Sequence, residues 1–397
     1  MADEIAGGDL SRLRQLNTLA ALRVLRGAEA LTLTELSRRT GLSRASTEDV
    51  VQDLIGQGWV AEAPPVAGVM GRPARRYRFR GEAGYALGVD IGGHRVRAIL
   101  TDLDGTVLGR AQVPVAPDAK REQRLAAAES AIGASLRENG LSGSDLWVVG
   151  VATSGLVDPA GRVVLSVAIP EWTGLNLAEH FASAFACPIL VDNDSRLAAL
   201  AERWCGVARH AKDFVYLLAG LRTGLGLVID GKLHRGFAGA AGEIGALPAA
   251  GWIRAQEHLR GWRGAPATDQ PDESAGYVFA AARRGDRSAL AAVRRYVRDL
   301  AVGTAALVLA LDPQMVVLGG GFSRSADVLL DPLRRELDKL CIRTPEVLAS
   351  ALADECVVLG AVRLGLDHVD ERVFGAEAGA LSAPRPPRRK RAAAARS

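Results

Sequence analysis

The feature that most constrains the fold is a strand–glycine turn–strand–hairpin unit that occurs twice, about 125 residues apart. In the first unit, two strands within 85–102 flank Gly92-Gly93, and Asp104-Gly105 is a two-residue hairpin turn. The second unit has a glycine-bearing turn over 220–226 and ends in Asp230-Gly231. Because one supersecondary unit is repeated, the sequence predicts a duplicated α/β fold of two lobes with a cleft between them.

Composition narrows the class of protein. The chain has 397 residues, of which 48% are hydrophobic and 24% are charged, enough for two or three globular domains. Its 4 cysteines include no C-x-x-C pair, which argues against a disulfide scaffold and a cysteine zinc site. No apolar run reaches the roughly 18 residues of a membrane span, and the acidic start is unlike a signal peptide. These features predict a cytoplasmic protein without a membrane partner.

Basic residues are concentrated at the two ends of the chain. Residues 1–80 carry a net charge of +3 and residues 376–397 carry +5, whereas the long segment between them carries −4. Basic ends on an acidic middle indicate contact with nucleic acid at the ends. We expect the last segment to be a disordered basic tail, which either attracts phosphates or only aids solubility.

The first 80 residues carry the signals of a winged helix-turn-helix. Leucines at helical spacing predict a helix over 11–26. Thr32 and Glu35 form a capping-box pattern, and the turn Thr40-Gly41-Leu42-Ser43 leads into a second short helix. Aromatic residues alternate with arginines over 75–80, which predicts a strand with one apolar and one cationic face.

The same pattern indicates which side chains contact double-stranded DNA. The first turn of the second helix suits the major groove, and the compact basic wing tip Gly71-Arg72-Pro73 suits a minor groove. Glu48 and Asp49 in the next turn either face away from phosphates or accept hydrogen bonds from cytosine amino groups. The predicted DNA-contacting residues are Ser43, Arg44, Ala45, Ser46, Thr47, Arg72 and Arg75.

Polar side chains follow a predicted strand near the middle of the chain. The strand at 188–191 leads into Asp192-Asn193-Asp194, directly before a helix over 195–204. Carboxylate and amide groups at a strand end that faces a cleft can bind sugar hydroxyls, and an aspartate there can act as a general base. Capping of the helix is the alternative role for one of the three residues.

Four motifs, in this order along the chain, resemble the ROK family of repressors, open reading frames and sugar kinases, including its winged-helix repressors. The resemblance covers roughly residues 10–372. It implies a two-lobed actin- and hexokinase-like (ribonuclease H-like) domain over 84–372, and either sugar phosphorylation with ATP or sugar-responsive transcription regulation. The motifs are Asp90-Ile91-Gly92-Gly93, Asp192-Asn193-Asp194, Gly239-Ala240-Ala241-Gly242-Glu243-Ile244-Gly245 and Val317-Leu318-Gly319-Gly320-Gly321.

The nucleotide site that the resemblance implies is altered at its phosphate loops. Kinases of the family have a threonine where this chain has His94, and a threonine and a glycine where it has Leu221 and Arg222. Bulky loop side chains fill the space that backbone amides need for phosphate contact. We therefore expect no kinase activity and no ATP cofactor, with Asp194 as a vestigial base. The vestigial nucleotide-binding residues are Asp90, Gly92, Gly93, Gly224, Gly226, Gly319, Gly320 and Gly321.

The sugar site that the resemblance implies is partly retained. Glu243 matches the sugar-binding glutamate of the family, and Asn193 and Asp194 match two further contacts to hydroxyls. Ala246 replaces a histidine that is a zinc ligand in the family, and no cysteine occurs over 251–258, where the zinc loop is expected. We therefore expect no bound metal.

The segment after Glu243 needs a different packing solution or is a flexible loop. Trp252 and Trp262 are candidates to replace the zinc loop, and His258 is expected at the surface. Nearby arginines would tolerate an anionic ligand such as a sugar phosphate, although exposure to solvent explains their presence better. These arginines are Arg254, Arg260 and Arg263.

Three functions are consistent with these sequence features. The first is a DNA-binding regulator, a repressor whose large domain binds a sugar or sugar phosphate. A homodimer or homotetramer on an inverted repeat is expected, because one helix-turn-helix reads too few base pairs to be specific. The second is an ATP-dependent sugar kinase that retains a DNA-binding head. The third, a mere dimerisation platform, is disfavoured by the polar cluster around Glu243.

Overall fold

The computed structural model describes residues 10–26, 28–64, 74–220, 222–264 and 271–374. Three sequence predictions fall on other residues: the wing tip with Arg72, the loop residue Leu221, and the tail at 376–397. Within the described ranges no helix is long and apolar enough to cross a membrane.

The N-terminal head is a helix-turn-helix with a small sheet, and its caps are those that the sequence predicted. Thr32 Oγ1 accepts a hydrogen bond from the Glu35 amide at 3.2 Å, and Glu35 Oε2 accepts one from the Thr32 amide at 2.8 Å. Gly41 ends the helix in the left-handed region at φ 75°, and Ser43 Oγ caps the next one. The elements are α1 (Leu10–Arg26), β1 (Leu31–Thr32), α2 (Leu33–Thr40), α3 (Arg44–Gln57), β2 (Val60–Glu62) and β3 (Arg76–Phe79), with sheet order β1-β3-β2.

The first lobe is built on a five-stranded mixed sheet in the order β10-β7-β4-β5-β6. The three strands of the predicted hairpin unit run antiparallel, and β7 and β10 then add in parallel to β4. The elements are β4 (Tyr85–Ile91), β5 (Arg95–Asp102), β6 (Val107–Pro114), α4 (Arg121–Glu138), β7 (Leu146–Thr153), β8 (Leu156–Val157), β9 (Val163–Leu165), α5 (Leu177–Ala182), β10 (Ile189–Asn193) and α6 (Asp194–Cys205).

The second lobe repeats this topology with the sheet order β13-β12-β11-β14-β15, so the predicted duplication is confirmed. Again three strands run antiparallel and two add in parallel. The elements are β11 (Phe214–Ala219), β12 (Thr223–Ile229), β13 (Lys232–Leu233), α7 (Trp252–Arg260), α8 (Pro271–Arg283), α9 (Arg287–Leu311), β14 (Met315–Gly319), α10 (Ala326–Leu340), β15 (Glu346–Ala349) and α11 (Cys356–Phe374).

The predicted turn over 220–226 is wrong in its extent. Strand β12 begins at Thr223, so Gly224 and Gly226 lie in the strand, paired with Leu218 and Tyr216 of β11. The hairpin closes earlier, where the Gly220 amide donates to the Arg222 carbonyl at 3.1 Å. Pairing with β11 therefore extends the strand through glycines that the sequence pattern assigned to a turn.

Helices α6 and α11 pack against each other and α11 also crosses β4 and β7, which ties the carboxyl end of the chain to the first lobe. Glycines allow this close approach. A Cβ atom at Gly360 of α11 would overlap the Leu197 carbonyl of α6, and one at Gly150 of β7 would overlap the Ala361 carbonyl. The core between the two sheets therefore depends on the absence of side chains at these positions.

The head is packed against the first lobe and shares a hydrophobic core with it. Trp59 and Phe79 of the head lie in one cluster with residues of β4, β7 and α11. The Trp59 ring meets the Trp147 ring edge-on, with centroids 5.5 Å apart. Arg26 donates to the Leu103 carbonyl and pairs with Asp370, and burial lowers its pKa to about 10. The head therefore moves with the first lobe.

We predict that Gly360→Ala lowers the free energy of unfolding by about 1–3 kcal/mol, because the added methyl group overlaps backbone atoms of α6. Gly276→Ala is the matched control, because that helical glycine has no atom within 4 Å of the new methyl group. It should instead add up to about 1 kcal/mol from helix propensity. Denaturant titration of both variants measures the difference, and equal stability of the two would contradict the packing described above.

Candidate functional site

The start of α3 presents most of the predicted DNA contacts to solvent. Ser43, Arg44 and Ala45 are exposed and Ser46 is half-buried. Thr47 departs from the prediction because its side chain is fully buried and its hydroxyl donates to the Ser43 carbonyl at 2.8 Å. It belongs to the apolar inner face of the helix, so its position in the first turn does not bring it to the surface.

The other described basic contact lies directly before β3. Arg75 is exposed, and its Nε lies 3.6 Å from Glu62 Oε1 on the neighbouring strand β2. Tyr77 and Phe79 of β3 are buried, as their alternation with arginines predicted. The head thus exposes polar and basic side chains at the start of α3 and at Arg75.

The end of β10 and the start of α6 form the centre of the cleft site. Asp194 Oδ2 accepts a hydrogen bond from Ser154 Oγ at 2.8 Å, and its Oδ1 accepts one from the Ser195 amide at 2.7 Å. Burial raises the pKa of Asp194 despite these hydrogen bonds. The Asp194 carboxyl group is therefore held in place by hydrogen bonds, and its raised pKa makes it a stronger proton acceptor than a carboxylate in water.

Asn193 has the capping role that was left open as an alternative. Its Oδ1 accepts from the amides of Ser195 and Arg196 at 3.0 and 3.2 Å, and so caps α6. Its Nδ2 donates to the Gly155 carbonyl at 3.0 Å. The side chain holds the helix start against the loop after β7, and its contact with a ligand stays a prediction.

Glu243 lies in the same electrostatic environment as Asp194. It begins a short 3₁₀ helix over Glu243–Ala246, directly after Gly242, which has a φ of 98°. The side chain is open to solvent in the cleft, yet partial desolvation by the surrounding protein raises its pKa, with a further contribution from Asp194. The Glu243 segment therefore lies beside the start of α6, where Arg196 donates to the Gly239 carbonyl, and a joint ligand site for Asp194 and Glu243 stays a prediction.

Two arginines position the Glu243 segment, and sequence reasoning missed both. Asp192 Oδ1 lies 3.1 Å from Arg196 Nη1, and its Oδ2 accepts from Arg235 Nε at 2.7 Å. Arg196 also donates to the Gly239 carbonyl, and the side chains of Arg196 and Asp192 are only 2% and 5% exposed. A basic residue four positions after an aspartate, at the start of a helix, was the available signal.

The first predicted phosphate turn, Gly92-Gly93, is held by hydrogen bonds from a buried arginine. The fully buried Arg124 donates to the carbonyls of Gly92 and Gly93 at 2.5 and 3.0 Å. Burial raises the pKa of Asp90 to about 7, although Arg97 Nη1 lies 3.5 Å from its Oδ2 and opposes that shift. The turn therefore has a fixed shape, with a carboxyl group at its base that is half-protonated near neutral pH.

The glycines of β12 are required by packing. A Cβ atom at Gly224 would overlap the Ser195 hydroxyl, and one at Gly226 would lie 2.5 Å from Ala199 Cβ of α6. Arg222 of the preceding turn crosses to the first lobe, where its Nη2 donates to the Val167 carbonyl at 2.8 Å. Its long side chain thus lies across the space between the lobes.

The third glycine turn follows β14 and leads toward α10. Gly320 has a φ of 73°, and a Cβ atom there would overlap the Ala219 carbonyl. Gly319 is buried beneath the ring of Tyr216, whereas Gly321 has open space around its Cβ position. Nucleotide binding by these glycines, as by Asp90, Gly92, Gly93, Gly224 and Gly226, stays a prediction.

The segment after Glu243 is packed by a tryptophan. Trp252 is buried, and its Nε1 donates to the Leu300 carbonyl at 3.1 Å, while Trp262 Nε1 donates to Ser288 Oγ at 2.9 Å. The His258 side chain is 25% exposed, and its Nε2 lies 2.9 Å from Asp299 Oδ2.

Arg254, in the same segment as His258, also pairs with Asp299. Arg254 Nε donates to Asp299 Oδ2 at 2.8 Å, so the arginine predicted to tolerate an anion is already paired. Across the described residues, histidine, cysteine and acidic side chains form no group of three or more that could hold a metal ion.

Comparison with known proteins agrees with this arrangement. The ROK family model matches residues 86–265 and 257–367, and the IclR helix-turn-helix model matches 16–64. The chain is 24% identical to a xylose repressor of Caldicellulosiruptor bescii, over 90% of this chain and 97% of the repressor. It is 27% identical to a glucokinase of Thermotoga maritima, which aligns with 73% of this chain and 98% of that enzyme.

Two solved structures add to this comparison. A ROK glucokinase from Streptomyces griseus, in complex with glucose and AMPPNP, is 25% identical and covers 72% of this chain and 100% of its own, with a TM-score of 0.61. A ROK transcriptional regulator described as a homolog of the E. coli MLC protein shares the fold over 89% of this chain and 97% of its own, with 20% identity and a TM-score of 0.69. The chain, with its helix-turn-helix head and its two-lobed actin- and hexokinase-like domain, belongs to the ROK family.

Proposed function

We propose that the chain is a sugar-responsive transcriptional repressor. It binds double-stranded DNA through the start of α3 and β3, and a sugar through the cleft at Asp194 and Glu243. The observation that carries this proposal is that one chain combines an exposed helix-turn-helix face with a Glu243 segment that the bond from Arg196 to the Gly239 carbonyl holds beside the start of α6, where Asp194 lies. The similarity to xylose repressors over almost their whole length supports it.

The cleft suits a neutral polyhydroxylated ligand. Asp194 and Glu243 offer carboxylate oxygens, which accept hydrogen bonds from sugar hydroxyls. The two arginines beside them are already engaged through Asp192, which supports an uncharged sugar as the ligand over a sugar phosphate at this site. Xylose is the first sugar to test, because two relatives that align with 90% and 91% of this chain are xylose repressors.

Loss of kinase activity is part of the proposal. Phosphoryl transfer needs a phosphate clamp, because positioning and charge stabilisation supply most of the rate. In support of this loss, Arg222 extends to the Val167 carbonyl at a position where kinases of the family have a glycine, so its side chain takes up space beside the second loop. A sugar kinase that retains a DNA-binding head is the alternative function, and the similarity to glucokinases favours it.

Regulation follows from the packing of the head on the first lobe. A homodimer or homotetramer would place two heads on an inverted repeat, with a spacing set by the arrangement of the lobes. Sugar binding between the lobes would shift this spacing if the sugar binds one arrangement of the lobes more tightly than the other. The difference between the two affinities limits the size of the shift. We propose that the sugar-bound arrangement releases DNA.

We predict that Arg44→Ala weakens binding to an operator fragment by about 1–3 kcal/mol, because an exposed guanidinium is lost from the first turn of α3. Arg284→Ala, which removes an exposed arginine at the end of α8, is the control for net charge. Fluorescence anisotropy at fixed salt measures both affinities. If the two variants lose affinity equally, α3 does not read DNA through this turn.

We predict that Glu243→Ala abolishes release of operator DNA by xylose or glucose, because a carboxylate that binds a sugar hydroxyl is removed. Affinity for DNA without sugar should stay that of the parent, since Glu243 lies in the cleft and not in the head. Glu346→Ala, an exposed acid on β15, is the matched control. Unchanged release by the sugar that acts on the parent protein would remove Glu243 from the site.

We predict no ADP formation above background when the protein is incubated with ATP and either xylose or glucose. The physical reason is the loss of the phosphate clamp at Arg222 and its neighbours. A coupled assay with a ROK glucokinase run in parallel provides the positive control. Turnover comparable to that enzyme would contradict the repressor-only reading and favour the kinase.

A further inference from the structure

Three arginine side chains converge on one carboxylate where the two lobes meet. Asp354 Oδ2 lies 3.2 Å from Arg97 Nη2 and 3.6 Å from Arg95 Nη1, and it also pairs with Arg324 Nη2. Arg95 and Arg97 belong to β5 of the first lobe, whereas Arg324 follows the glycine turn after β14 in the second. Three guanidinium groups from two lobes thus point at a single oxygen atom.

The charges of this arginine cluster (Arg95, Arg97 and Arg324) do not balance. One other carboxyl group, that of Asp90, lies within ion-pair distance, 3.5 Å from Arg97 Nη1. The neighbouring acid Glu355 is taken by Arg110, whose Nε lies 2.7 Å from its Oε1. Three guanidinium groups therefore face two carboxyl groups, and at least one positive charge stays uncompensated among the described residues.

The cluster is open to a ligand. The side chains of Arg95, Arg324 and Asp354 are 42%, 59% and 34% exposed. Ala353, directly before Asp354, has a φ of 47°, an uncommon conformation for a residue with a Cβ atom. The residue directly before Asp354 thus has a strained backbone conformation.

We propose that the arginine cluster is an anion site that takes a phosphate group, with Asp354 as its internal competitor. Guanidinium groups present paired N–H donors that match the oxygens of phosphate, and several of them together are typical of phosphate recognition. A bound phosphate would gain the contacts that Asp354 now makes and would join the two lobes. The phosphate is either free in solution or part of a phosphorylated metabolite. None of the three arginines, nor Asp354, belongs to the proposed sugar site or to the predicted DNA contacts.

Calorimetric titration of the full-length protein with inorganic phosphate at constant ionic strength tests the proposal. We expect saturable binding that Arg324→Ala weakens at least about tenfold, because one charge-assisted pair is lost. Asp354→Asn should tighten binding about tenfold, since the competing carboxylate is removed. This opposite sign separates an anion site from an ion-pair network that only joins the lobes, because such a network gains nothing from the loss of Asp354.

Arg334→Ala is the matched control, since it removes a comparably exposed arginine that pairs with Asp331 on α10. Arg95→Ala provides a second cluster variant if Arg324→Ala does not fold. The proposal is overturned if phosphate binds no better than chloride, if Arg334→Ala weakens binding as much as Arg324→Ala, or if Asp354→Asn fails to tighten it.

Two further ligands identify the source of the phosphate. Equal affinities for inorganic phosphate and glucose 6-phosphate support a site for the free anion. Tighter binding of glucose 6-phosphate supports a phosphorylated metabolite. Much tighter binding of ATP than of either would overturn the proposal, because it would show a retained nucleotide site in place of an anion site.

Discussion

The cap that the Asn193 side chain makes on α6 is the interaction on which the site depends. It fixes the direction in which β10 passes into the helix, and through its amide nitrogen it holds the loop at Gly155. Asp194 is the next residue, so its carboxylate is oriented by the same junction. Because α6 also packs against α11, and α11 packs against the head, this junction lies at one end of a continuous packed path to the DNA-binding domain.

Relative to the pattern that the family resemblance implies, one side of the cleft keeps its carboxyl residues and the other side has altered phosphate loops. Arg196 forms a buried ion pair with Asp192 and donates to the Gly239 carbonyl, which holds the Glu243 segment beside the start of α6 and Asp194. On the other side, α6 packs directly against the strand glycines Gly224 and Gly226, and Arg222 spans the lobes. We propose that a domain with this division binds a sugar and changes its shape without acting as a kinase, as a repressor requires.

Local signals in the sequence predicted the features that short-range interactions determine. The capping box at Thr32, the left-handed Gly41 and the alternation at Tyr77 and Phe79 each depend on neighbours within a few residues. The duplicated strand units also followed from local patterns, because turn chemistry and alternation are local. The approach of Glu243 to Asp194 was inferred from the family resemblance and needed the fold to place it.

The errors arose where tertiary packing decides the outcome. Thr47 is buried because it falls on the inner face of α3, and Gly224 and Gly226 are strand residues because they pair with β11. The pair of Arg235 with Asp192 and the bond of Arg196 to the Gly239 carbonyl each join residues 43 positions apart, so no short window of sequence contains them.

Selection of sheared genomic DNA by the full-length protein, with and without xylose or glucose, tests the central claim most directly. The account predicts that sequencing recovers an inverted repeat from the sugar-free sample and that one of the sugars abolishes its enrichment. Enrichment that no sugar alters would contradict a sugar-responsive repressor, and the absence of any enriched sequence would contradict DNA recognition itself.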